Sequence, residues 1–146
     1  MKLLVINTGS SSIKYQLFEM KEKRVMSSGV IEKIGENQGR VQHKLFLAGG
    51  AIREKSEERS VNDHQAGLQR ISQLLQDGEV GAISNPGEIE AVGHRVVHGG
   101  DLFSEATLVN DEVKAAIKKF IPLAPLHNPP NLEGISVAEE VFPQAQ

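Results

Sequence analysis

Lys2-Leu-Leu-Val-Ile-Asn-Thr-Gly-Ser-Ser-Ser-Ile-Lys-Tyr-Gln-Leu17 stands near the start of the chain and governs how the remainder is read. Lys2 to Ile6 is a short, nearly continuous apolar run suited to a buried strand, and Asn7-Thr-Gly-Ser-Ser-Ser carries the turn chemistry that ends it at Asn7. From Ser12 the pattern alternates. Ile13, Tyr15 and Leu17 fall on one face and Ser12, Lys14 and Gln16 on the other, as a half-buried strand requires. The two segments read as a hairpin. Its tip, Asn7 to Lys14, gathers a glycine, the hydroxyls of Ser10 and Ser12 and the cation of Lys14, which together suit a phosphate: Gly9 lets the backbone come close, turn N–H groups face anionic oxygens, and the hydroxyls donate. The stretch is not a P-loop, since G-x-x-x-x-G-K-[ST] does not occur, and it is not a dinucleotide fingerprint, since a strand follows the glycine. From these residues alone, an ordinary polar hairpin turn stands on an equal footing.

Downstream, Lys21-Glu-Lys-Arg makes a charged turn and Val25 to Ile34 a third strand, completing a meander that ends in the loop Gly35-Glu-Asn-Gln-Gly. Val41, His43, Leu45 and Leu47 repeat at period two, and Gly49-Gly50 turns the chain back toward the charged segment Arg53 to Arg59, so a peripheral hairpin is expected here. Asn62 or Asp63 caps a helix that carries Leu68, Ile71, Leu74 and Leu75 and stops at Asp77-Gly78. Ile89 to Val97 reads as a strand running into Gly99-Gly100. Asn110 caps a second helix with Val113, Ala116, Ile117 and Phe120, ended by Pro122 and Pro125. A third is expected after Asn128, with Pro129 and Pro130 in its first turn and Leu132, Ile135, Ala138 and Phe142 along it. The order is that of an α/β domain with a mixed sheet and flanking helices.

The whole composition fits one soluble domain. The 146 residues are 39% hydrophobic, and 16 Lys and Arg against 19 Asp and Glu give a formal charge of -3. No global basic field exists to hold nucleic acid or an anionic membrane, so an anion must be bound locally. The absence of cysteine excludes disulfides, thiolate zinc sites and a cysteine nucleophile. The apolar run Leu3 to Ile6 is too short for a signal-peptide core and no later stretch approaches a membrane span, which reads as a cytoplasmic protein.

Two further constellations carry chemistry. In Gly93-His-Arg-Val-Val-His-Gly-Gly-Asp101, a strand places Arg95 and Val97 on one face and His94, Val96 and His98 on the other. A guanidinium fork beside an apolar patch matches a short carboxylic acid, with Arg95 on the carboxylate and Val97 on the alkyl end. His94 and His98 have the spacing of a helical metal pair, but Val96-Val97 and Gly99-Gly100 argue against a helix, and hydrogen-bonded structural roles are the better reading. In Pro122-Leu-Ala-Pro-Leu-His-Asn-Pro-Pro-Asn131, prolines stiffen a loop presenting Leu126 and His127 just before a helix. That loop is either a substrate contact or a plain interhelical turn, and the residues alone favour the turn.

Taken together, Leu4-Val-Ile-Asn-Thr-Gly-Ser-Ser-Ser-Ile-Lys14, Gly93-His-Arg-Val-Val-His-Gly-Gly100 and Ala124-Pro-Leu-His-Asn-Pro-Pro130 closely resemble the acetate kinase family, in the family's order and over essentially the whole chain. The resemblance implies the fold of sugar kinases, Hsp70 and actin, in which two ribonuclease-H-like domains close around ATP. It implies ATP as co-substrate, acetate as acceptor and Mg2+ (or Mn2+), with acetyl phosphate and ADP as products feeding acetyl-CoA biosynthesis. Carried over by position, Asn7 lies near the metal, Ser10, Ser12 and Lys14 form the phosphate loop, and Arg95 positions acetate and the transition-state oxygens. Val97 and Leu126 then line the acyl pocket, with His127 close to the substrate. The resemblance also implies a homodimeric parent more than twice as long. Its catalytic aspartate, in a Phe-Asp segment, lies beyond Gln146, together with a transition-state histidine, a later arginine, the adenosine pocket and a glutamate near the metal. Residues 1–146 are thus expected to be the amino-terminal domain, without normal kinase activity alone. A propionate or butyrate kinase of the same family is the near alternative, and a non-catalytic nucleotide-binding or assembly module the distant one.

Overall fold

The computed structural model describes residues 1–146. Six strands, β1 (Lys2–Thr8), β2 (Ile13–Glu19), β3 (Arg24–Glu32), β4 (Arg40–Phe46), β5 (Ile52–Glu58) and β6 (Ile89–His94), form one sheet in the order β5-β4-β3-β2-β1-β6. The first five make an antiparallel meander; β6 lies parallel to β1 after a crossover that contains helix α1 (His64–Leu75). Helices α2 (Asp111–Lys119) and α3 (Asn128–Val141) follow β6, and no helix is long and apolar enough to cross a membrane.

The alternation of β2 is realised as expected. Ile13, Tyr15 and Leu17 are buried with Leu4 and Ile6 of β1, and against them α1 sets Leu68, Ile71, Leu74 and Leu75 while α3 sets Val137 and Ala138. Gly67 lets α1 approach, since a Cβ there would stand 2.8 Å from Ile13 Cδ1. Asp63 caps α1 by accepting from the Ala66 N–H at 2.7 Å, and Asn110 caps α2 by accepting from Val113 at 2.9 Å. Acids in the first turn of α2 and lysines in its last complement the helix dipole. The opposite face of the sheet carries no helix, and Val5, Asn7, Lys14 and Gln16 are exposed there.

Four expectations are adjusted. The Val41–Arg59 hairpin forms and lies at the edge, with β4 antiparallel to β5, but it is part of the main sheet, because β4 also pairs with β3 in unbroken register. His43 occupies an inward position of β4, fully buried, with Nε2–H donating to the Val80 carbonyl at 2.9 Å and Nδ1 accepting from the Tyr15 hydroxyl at 2.6 Å. A paired polar side chain thus fills an inward position. The charged strand β5 is tethered by Lys55–Asp77 at 3.0 Å and by Glu57, which takes Arg70 on both oxygens. The strand expected to reach Val97 ends at His94, whereas β1 runs one residue past Asn7, to Thr8. Helix α3 begins with Asn128 itself, leaving the prolines in its first turn.

Candidate functional site

The turn between β1 and β2 is held from three sides. Gly9 N–H donates to Ser12 O at 2.9 Å, closing a two-residue tip at Ser10 and Ser11, and Ser11 O accepts from Ile34 N–H at 2.9 Å. From α1, His64 Nε2 donates to the Gly9 carbonyl at 2.7 Å. Gly9 keeps the tip tight, because a Cβ would lie 3.0 Å from Ser12 Oγ and push that hydroxyl aside; its backbone is not left-handed. Ser10 is exposed and Ser12 half-buried. The loop is therefore anchored before any ligand arrives, which lowers the entropy cost of binding an anion there.

Register sets what lies beside it. Asn7 pairs directly with Lys14 across the hairpin. On the other side of β1, Ile6 pairs with His94 in the parallel ladder, and Arg95 N–H donates to Ile6 O at 3.2 Å, which puts Arg95 level with Asn7. Since residue parity assigns faces, Asn7, Lys14 and Arg95 share the helix-free face on three neighbouring strand lines, each about 4.8 Å from the next. Neither Lys14 nor Arg95 takes part in any ion pair. Two free cations thus flank one carboxamide. An open trough of about 440 Å³ extends from Asn7 and Lys14 across Gln16, Ser28, Gln42 and Lys44; Arg95 stands outside it, beyond Asn7.

Behind this face, α3 and the residues after β6 interlock. His94 points inward, its Nδ1 donating to Arg95 O at 2.7 Å and its Nε2 3.1 Å from Thr8 Oγ1, whose hydroxyl also meets Pro130 O at 2.7 Å. Burial, with a smaller contribution from His64, holds His94 below the ordinary histidine range, against the opposing pull of the Arg95 carbonyl. Burial thus disfavours the charged imidazole, and the Thr8 hydroxyl donates to Pro130 O. Gly134 makes this packing possible, because a Cβ would stand 2.5 Å from His94 Nε2. Asn131 accepts from Val97 N–H at 3.0 Å and donates to Thr8 O at 2.9 Å. Asn128 accepts from His98 N–H at 3.2 Å and donates to His98 O at 2.9 Å. His98 Nδ1 accepts from Gly100 N–H at 3.0 Å, so both histidines of the motif carry structural hydrogen bonds.

The structure thus brings together Asn7, Lys14 and Arg95, with Ser10 and Ser12 at the adjoining tip. Val97 is exposed two residues beyond Arg95. Leu126, 76% exposed, and His127 stand on the neighbouring loop, whose next residue, Asn128, grips His98. Thr8, His64, Asn128 and Asn131 escaped the sequence reading. An Asn on either side of Pro129-Pro130 at a helix start was the available signal for the last two. For a metal, the chain gathers no trio of His, Asp or Glu side chains. The Asn7 carboxamide oxygen is a hard neutral donor, which fits Mg2+ (or Mn2+) that keeps its waters and draws its countercharge from phosphate.

Comparison with known proteins matches residues 2–146 to the acetokinase family. The chain is 50% identical over 142 residues to an acetate kinase from Brachyspira hyodysenteriae, covering 97% of this chain and 35% of that relative. The crystal structure of Porphyromonas gingivalis acetate kinase superposes with a TM-score of 0.88 at 41% identity, over 97% of this chain and 35% of that one. A propionate kinase from Francisella tularensis superposes with a TM-score of 0.81 at 32% identity, over 99% and 35%. The chain spans about a third of the length of these relatives.

Proposed function

We propose, from the premise that this chain belongs to the acetokinase family and has the ribonuclease-H-like α/β fold of its solved members, that it is the amino-terminal domain of an ATP-dependent acetate kinase. Residues 1–146 supply the acid-binding residues and one wall of the phosphate site. The observation that carries this reading is the row Lys14, Asn7, Arg95 on one open sheet face, with both cations unpaired.

In this reading acetate and the γ-phosphate of ATP meet over Asn7. Arg95 holds the carboxylate by its fork and aims one oxygen at phosphorus, while Val97 and Leu126 shelter the methyl group and His127 approaches the substrate from the adjoining loop. Lys14, the hydroxyls of Ser10 and Ser12 and the turn N–H groups face the phosphate oxygens, where negative charge concentrates during transfer. Asn7 would hold Mg2+ through water, and the bound ion would neutralise phosphate charge. The new P–O bond forms to the acetate oxygen as the bond to ADP breaks. Arg95 and Lys14 thus stabilise charge without having to shuttle a proton.

The test is acyl phosphate formation by the full-length kinase that carries this segment. Given ATP, Mg2+ and acetate with hydroxylamine as trap, acetohydroxamate and stoichiometric ADP are expected; ATP bound without hydroxamate would refute the reading. The likeness to a propionate kinase favours propionate as a second acid. One methylene is worth only about 1–3 kcal/mol, so overlapping use of the two acids is expected.

A further inference from the structure

A backbone irregularity beside Arg95 has a specific construction. In a parallel ladder, every second residue of one strand bonds the two residues flanking its partner. Gly9 N–H pairs with Ser12 O on the β2 side, so the backbone groups of Ile6 and Thr8 point toward β6. Arg95 N–H donates to Ile6 O at 3.2 Å, and the next rung by this spacing is Val97 N–H to Thr8 O. That rung is not direct. Val97 N–H donates to Asn131 Oδ1 at 3.0 Å, and Asn131 Nδ2 donates to Thr8 O at 2.9 Å. A side-chain carboxamide is inserted where one hydrogen bond would have sufficed, and the two strand lines part by its width.

The next residue is gripped on both sides. Asn128 binds the N–H and the C=O of His98, as a neighbouring strand would, and also donates to Ile117 O at 3.3 Å in α2. Asn131 and Asn128 are 1% and 0% exposed, and none of their hydrogen bonds reaches solvent-facing chemistry. Arg95 has no ion-pair partner, so the backbone that carries it sets the direction of its fork. Val97 is placed by the inserted amide itself.

We infer that Asn131 and Asn128 are positioning residues for the carboxylic acid site: Asn131 wedges β6 away from β1 immediately after Arg95, and Asn128 fixes the diverging chain so that Arg95 and Val97 face the acid together. This rests on the acid-kinase reading above and adds the residues that set its geometry. Sheet repair alone does not account for the arrangement, because direct Thr8–Val97 pairing would satisfy the same two backbone groups without a buried amide.

Asn131→Asp keeps the shape and the acceptor facing Val97, but turns an anionic oxygen toward the Thr8 carbonyl. In the full-length kinase it is expected to lower kcat/KM for acetate about 100-fold, while the ATP KM stays within about twofold. Asn131→Ala, which lets the ladder close directly, gives the same split and covers the case in which the carboxylate prevents folding. A folded variant with unchanged acetate kinetics would overturn the inference, as would equal losses in acetate and ATP use, the mark of a purely structural role. Amide hydrogen exchange separates this failure from that of the functional reading. Val97 and His98 N–H groups are expected to be protected in the wild type and Val97 to be deprotected in Asn131→Asp. Wild-type exchange at open-peptide rates removes the clamp itself, whereas protected amides in a protein that makes no acyl phosphate remove the kinase reading and, with it, the role toward the acid.

Discussion

Arg95→Ala in the full-length kinase is expected to reduce kcat/KM for acetate by about a thousandfold, the scale on which arginines contribute to phosphoryl transfer. The side chain is exposed, makes no ion pair and lies level with Asn7, so its removal disturbs little of the fold and, on the proposed reading, deletes the contact to the acid. Folding stability should change by no more than about 0.5 kcal/mol. The ATP KM should barely move, because Ser10, Ser12 and Lys14 remain in place on the other side of Asn7. Arg95→Lys is the sharper variant. It keeps a cation but loses the planar fork, so its acetate KM should stay high while part of kcat returns. Steady-state kinetics with acetate and ATP varied separately, beside a denaturation curve, check all of this. Normal acetate kinetics in Arg95→Ala would dismiss the acid-binding role and favour a nucleotide-binding module that performs no transfer.

The second large effect is on stability. Gly29, in the middle of β3, has the Tyr15 ring directly beneath it; an alanine Cβ would sit inside that ring's van der Waals envelope and 2.5 Å from the Gln42 carbonyl oxygen. The carbonyl belongs to the backbone of β4, so relieving that contact strains the ladder, and Tyr15 must move as well. Tyr15 is 3% exposed and donates to His43 at 2.6 Å; burial drives its own pKa far above the normal tyrosine range and holds His43 below the normal histidine range. Displacing the ring leaves the His43 Nδ1 lone pair buried without its donor. Overpacking and the orphaned acceptor together should destabilise Gly29→Ala by about 3 kcal/mol, visible as a lower urea midpoint at unchanged slope. Gly78→Ala is the matched control, because a Cβ there meets nothing within 4 Å. Equal midpoints for the two variants would show that the sheet yields at Gly29.

What could be read in advance was what depends on neighbours in sequence. The hairpin around Asn7 to Lys14 and the caps at Asp63 and Asn110 are local, and they fold where periodicity and capping chemistry put them. The reading failed where a distant partner changed a residue's meaning. The charged segment Arg53 to Arg59 shows no place in a sheet until Asp77 and Arg70 stand beside Lys55 and Glu57, which is how β4 and β5 came to look peripheral. Strand β6 ends early because of an amide that arrives much later in the chain, on α3. The pairing of Arg95 with a small apolar neighbour suggested a carboxylate from local chemistry. Its position level with Asn7 required the parallel β1–β6 register, which no local pattern specifies.

That register also divides the site in time. Strands β1 to β5 join through short turns, whereas the Lys2–Ile89 pairing closes a loop holding the rest of the meander and α1. Loop-closure entropy makes such a contact slow relative to neighbouring hairpins, so Asn7 and Lys14 should be in place before Arg95 docks beside them. Pulse-labelled hydrogen exchange during refolding should show β1–β3 amides protected ahead of those in β6, and simultaneous protection would contradict this order. On the proposed reading, a chain caught between the two events would hold the phosphate half of the site with nowhere to put an acid.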